Sequence, residues 1–96
     1  RASSDVFAIA LAFEGMGATL IAAGETEAGV ELISAGLASR DQAGAPLPSG
    51  ERFDVDRALA IAQDRLELER FRAAMAAGTG IDMRESGVPH ADGFEP

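Results

Sequence analysis

Residues 13–40, FEGMGATLIAAGETEAGVELISAGLASR, decide the fold: two apolar-rich runs meet at the short polar stretch Gly24-Glu25-Thr26-Glu27. Upstream, Ile9, Phe13, Met16 and Leu20 recur at steps of four, three and four, which places them on one helical face. Downstream, Val30, Ile33 and Leu37 repeat the period. Gly24 stands where a residue in the left-handed conformation would end a helix. Thr26 is placed to cap the next helix, Glu25 and Glu27 complement its dipole, and Arg40 suits its last turn. So short a connection predicts an antiparallel helical hairpin.

Working outward, the first helix is expected from Ser4 or Asp5 to Ala23, with Ser3, Ser4 and Asp5 as candidate N-caps. Val6, Ala10, Leu11, Ala18 and Ile21 widen its apolar surface beyond one stripe, the pattern of a helix covered on two sides. After the hairpin, residues 41–51 hold two Pro and two Gly and read as a loop, with Leu47 as its anchor on the core. Ser49 is a candidate N-cap for a third helix, about 51–66, burying Val55, Leu59, Ala62 and Leu66. A fourth helical stretch, about 67–77, turns Leu68, Phe71 and Met75 inward and ends at Gly78 and Gly80. Periodicity leaves open whether these two are one kinked helix or two. Ile81 and Met83 read as a last apolar anchor and 86–96 as a tail. No period-two strand pattern occurs. The expected fold is all-α with about four helices in one domain, 1–85: a hairpin followed by a second helix pair.

Composition excludes much chemistry. The 96 residues contain no Cys, Trp, Tyr, Lys or Asn, a single His at position 90, 20 Ala and 11 Gly, and every basic residue is Arg. Without Cys there are no disulfides, thiolate metal sites or cysteine nucleophiles. The net charge is −8. Residues 39–72 hold six Arg against seven acids and the flanks are more acidic, so no segment offers the basic face that direct nucleic-acid binding needs. An anionic membrane would repel the chain, and Val6 to Ala23 is interrupted by Glu14, two Gly and Thr19. No secretory signal pattern is visible, and the expected location is the cytoplasm.

Residual motifs favour structural readings. Gly15-Met16-Gly17 and Gly78-Thr79-Gly80 follow no strand and complete no phosphate-loop fingerprint, so helix packing and termination account for them better. Asp54 and Asp56 stand two apart on a helix and point away from each other, against a metal pair. His90, near Asp92, lies among Gly and Pro in the tail. The Arg residues of 40–72 are interleaved with acids and read as pairing along helices, as Asp54 and Arg57 can. No catalytic residue, cofactor or metal ligand is predicted, and the chain is not expected to be an enzyme.

The hairpin carries small residues at Gly17, Gly29 and Gly36, interleaved with Phe13, Met16, Leu20, Ile33 and Leu37, and so resembles a tetratricopeptide repeat, in which small side chains let paired helices approach closely. It departs from that pattern in having Gly for Ala at 29 and 36, each costing about 1 kcal/mol of helix propensity, and no Pro at 41. Together with Gly-Ala-Pro-Leu-Pro (44–48), Arg-Ala-Leu (57–59) and Leu-Glu-Leu-Glu-Arg-Phe-Arg-Ala-Ala-Met-Ala-Ala-Gly (66–78), it is similar to the C-terminal repeat region of large bacterial multidomain regulators. These carry an ATPase module and helical repeats, many with a LuxR-type DNA-binding or class III nucleotide cyclase domain. The resemblance spans about Gly15 to Arg84. In that family a further helix follows, whereas Gly87 and Pro89 interrupt one here.

The resemblance implies a non-catalytic interaction and scaffolding module, the end of a bacterial signalling or transcriptional regulator. The alternatives are a helical accessory segment of an enzyme such as a cyclase or ATPase, and a free-standing small dimeric helical protein. The chain starts with Arg1 and carries much apolar surface for its length, so it reads as the last repeat of something longer. With a preceding repeat absent, Val6, Ala10, Leu11 and Ala18 are expected to form an uncovered patch. A protein partner would fill it, most simply a second copy in a homodimer, unless residues 81–96 fold back over it. Leu20 and Ile33 are expected in the hairpin core, where replacement by Ala costs about 2–4 kcal/mol.

Overall fold

The computed structural model describes residues 2–81, with side chains from 6 to 50 and 52 to 81. Met83, His90 and the expected tail lie outside the described residues. Four helices follow in order: α1 (Ala2–Ala22), α2 (Thr26–Gln42), α3 (Phe53–Arg65) and α4 (Leu68–Thr79), with a 3-10 turn at Ser49–Glu51 and no strand among the described residues. The protein is all-α. Helix α2 lies centrally: α1 and α4 pack along it, and α3 rests on both α1 and α2. The last two helices do not form a hairpin with each other, since α4 touches α3 only slightly.

Both hairpin ends are built from glycine. Gly24 (φ 97°) lets Glu25 N–H reach Leu20 C=O at 2.8 Å and Gly24 N–H reach Ile21 C=O at 3.1 Å. Gly44 (φ 76°) repeats the motif at the end of α2, with Ala45 N–H on Arg40 C=O and Gly44 N–H on Asp41 C=O, both at 3.0 Å. Each satisfies two carbonyls that a helix end leaves free. Several expected caps move by a residue or more. Helix α1 begins at Ala2, so Ser3, Ser4 and Asp5 lie inside its first turn. The N-cap of α2 is Glu25 and that of α3 is Arg52, neither with a side-chain cap bond; Thr26 is the first helical residue and Ser49 opens the 3-10 turn.

The buried stripe of α1 is turned about one residue from the expected one. Ala10, Phe13, Gly17 and Ile21 are buried, whereas Met16 is 49% exposed and Leu20 half-buried. The reason is the helix crossing. A Cβ built on Gly17 would stand 2.6 Å from Gly29 C=O and 2.7 Å from Ile33 Cγ1, and one on Gly29 would stand 2.5 Å from Gly17 C=O and 2.6 Å from Ile21 Cγ1. The two backbones therefore touch glycine to glycine, and the large side chains pack around that point. At Gly36 a Cβ would come within 3.0 Å of Ala10 C=O. The small positions seen in the sequence are thus the contact line of the hairpin.

The main core gathers Ile21, Val30, Ile33, Leu47, Val55, Ala58, Ala62, Phe71 and Ala74 from all four helices and the loop, so Leu47 anchors the loop as expected. A smaller cluster joins Ala10, Phe13 and Ala35, with Val6, Ile9, Leu32 and Ile81 packed against it. Leu66 and Glu67 are extended (ψ 146° and 151°), which makes α3 and α4 separate helices. In α4, Phe71 is buried and Met75 half-buried, but Leu68 is exposed. Gly78 does not end the helix. It lies within α4, buried against Glu31 and Ser34 of α2, where Ser34 Oγ donates to Met75 C=O at 2.6 Å.

These contacts separate two kinds of helical glycine. Gly29→Ala must push α1 from α2 and should destabilise by about 1–3 kcal/mol. Gly15 has open space where a Cβ would go, so Gly15→Ala should stabilise by up to about 1 kcal/mol through helix propensity. Urea midpoints of the two variants should move in opposite directions.

Candidate functional site

The expected patch on α1 is largely covered. Ala10 is fully buried, its carbonyl lying where Gly36 of α2 approaches, so it presents no surface. Val6 is half-buried against the Ala10–Phe13–Ala35 cluster, and Ala18 is half-buried against the main core. Leu11 is free, at 64% exposed. The sequence left these residues uncovered for want of a preceding repeat; the glycine crossing instead turns Ala10 into the hairpin contact and Met16 outward, while Leu20 is half-buried.

Leu11 and Ala18 instead belong to a groove between α1 and α3, about 480 Å³ in volume. Leu47, Val55 and Ala58, all buried core residues, reach its floor, and Leu11 and Ile61 form its lips. The proline-flanked loop contributes Leu47, which is also part of the main core. Four charged residues complete the lining: Glu14, Arg40, Asp54 and Arg57.

Glu14 and Arg40 are a buried ion pair that the sequence reading did not foresee. Arg40 Nε lies 2.7 Å from Glu14 Oε2 and its Nη2 3.1 Å from Oε1, a two-point contact. The Glu14 side chain is 4% exposed and that of Arg40 11%. Arg40 also closes the last turn of α2, where its charge suits the helix dipole. The sequence did carry one signal: a lone acid in the middle of an apolar helix must find a partner to be buried. On the rim, Asp54 and Arg57 stand 4.0 Å apart, both well exposed, and the Arg57 guanidinium lies 5.3 Å from the Phe53 ring centroid. Phe53 itself is 69% exposed.

Polar ties elsewhere hold the helices in place. Arg65, at the end of α3, donates to Ile21 C=O in the last turn of α1 at 2.5 Å. Arg70 of α4 donates to Glu27 of α2 at 2.7 Å. That hydrogen bond, with the attraction of the same guanidinium, holds the Glu27 carboxyl below its ordinary value. Among the described residues no group of three or more His, Asp or Glu is placed to hold a metal, and no helix is long and apolar enough to cross a membrane. In comparisons with known proteins, no family model, no curated protein and no solved structure matches this chain.

Two predictions follow the charges. Glu14→Ala removes the carboxylate from a buried guanidinium and should cost about 3–5 kcal/mol, whereas Glu14→Leu combined with Arg40→Met should restore most of that loss; chemical denaturation of the three proteins compares them. Because the folded-state pKa of Glu27 is depressed, its pair with Arg70 stabilises the fold above the ordinary carboxylate value of 4.5 and is lost as pH falls through the folded-state value. Glu27→Gln should therefore be less stable than the wild type at neutral pH, and the gap should close in acid.

Proposed function

We propose that this chain is a non-catalytic protein-docking module, tetratricopeptide-like in its hairpin, that receives a partner in the groove between α1 and α3. The observation that carries this reading is the groove itself. Its floor is apolar and continuous with the core, its lips Leu11 and Ile61 project into solvent, and its charges sit at the inner end and on the rim. Apolar surface rimmed by polar groups is the usual form of a protein-binding site. The one buried carboxylate in its lining, Glu14, is tied to Arg40.

The resemblance to the repeat regions of bacterial regulators supports the same class of function, a docking or sensing segment of a signalling or transcriptional protein. The close-packed glycine crossing at Gly17 and Gly29 agrees with that likeness. The occupant expected here is a protein segment that offers an apolar side chain to the floor and polar groups to the rim.

Selection of peptides from a displayed library against the immobilised chain tests this reading. Bound peptides should lose at least roughly tenfold in affinity to Leu11→Asp or Ile61→Asp, the size of effect that a central anchor carries. They should be indifferent to Leu68→Asp, an exposed apolar position on α4. Selected peptides whose binding ignores both groove variants would overturn it.

A further inference from the structure

The groove differs in charge from the rest of the molecule. The sequence holds sixteen acids and eight Arg, yet the groove is lined by two of each. Glu14 and Arg40 neutralise one another inside it. Asp54 and Arg57 lie on the rim, 4.0 Å apart and mostly exposed, too loosely joined to hold each other in place. A second copy of an acid-rich chain is repelled least where the local charge cancels.

The rim pair is also self-complementary. Consider two α3 helices crossing antiparallel about a twofold axis that passes between positions 55 and 56. Asp54 of each copy then faces Arg57 of the other, and Phe53 faces Ala58, a residue of the groove floor. Phe53 is the most exposed of the large apolar side chains described and stands one turn from Arg57, so it has the size and position of an anchor. A symmetric interface needs this kind of match between a surface and itself.

We propose that the occupant of the groove is a second copy of this chain, docked through antiparallel α3 helices with Phe53 of each copy entering the groove of the other and two Asp54–Arg57 ion pairs closing the rim. This rests on the docking reading above and names its partner.

Sedimentation equilibrium of the chain over a concentration series, with circular dichroism as a check of folding, tests the proposal. The wild type should be a dimer. Asp54→Arg and Arg57→Asp should each be monomeric alone, because one faces cations with cations and the other acids with acids. Mixed in equal amounts, they should form a heterodimer in which every rim pair is opposite in sign. Phe53→Ser, at an exposed site where folding is not at stake, should weaken the dimer by roughly tenfold or more. A monomeric wild type overturns the proposal, whether the groove is then filled by another protein or by residues 82–96 of the same chain. So does a dimer that survives both charge reversals, or a mixture that does not re-form one. A monomer that still binds selected peptides through Leu11 and Ile61 would leave the docking module intact and remove only self-docking.

Discussion

Gly17 and Gly29 meet where α1 crosses α2, each filling the space that a Cβ on the other would need. Most of the structure depends on that approach. With the two backbones in contact, Ile21 and Ile33 interlock beside the crossing and become fully buried. The same approach turns α1 so that Phe13 and Ala10 face α2 while Met16 stays outside. Each glycine weakens its helix by about 1 kcal/mol relative to alanine, and close packing offsets the loss. Gly78 repeats the device between α4 and α2, which is why α2 can be sandwiched by two helices at once.

Around this apolar line the polar side chains act as ties between elements. Glu14 and Arg40 join the middle of α1 to the end of α2, Arg65 joins α3 to the end of α1, and Arg70 joins α4 to the start of α2. They differ in weight. The Glu14–Arg40 pair is buried, so leaving one partner without the other is expensive. The Glu27–Arg70 pair is exposed and screened by water, so it tunes stability with pH more than it sets the fold.

The groove is a by-product of the same geometry. Helix α3 leans on α1 and α2 through the small residues Ala58 and Ala62 and through Val55. Of its larger apolar residues, Leu59 packs against the core, whereas Phe53 and Ile61 are exposed, Ile61 across the groove from Leu11. Two large apolar side chains of α3 stay exposed while its Ala58, Ala62, Val55 and Leu59 hold it to the core, and that is the physical basis for reading this face as an interface.

Local signals in the sequence determined the helical class, the hairpin turn at Gly24, the loop anchored by Leu47, and Gly17, Gly29 and Gly36 as points of close contact. Each rests on neighbouring residues: a 3.6-residue period, a left-handed turn position, a proline-flanked leucine, a small side chain at helical spacing. What only the tertiary structure decided is which way each helix faces. The period marks α1 as apolar nearly all round, and only contact with α2 selects Ala10 and Gly17 over Met16 and Leu20 for burial. The break at Leu66–Glu67 has no glycine or proline to announce it, since it arises from α3 and α4 packing on different partners. The Glu14–Arg40 pair joins residues 26 positions apart. Burial and pairing across such distances depend on how the helices cross, and that follows from the packing of the whole chain.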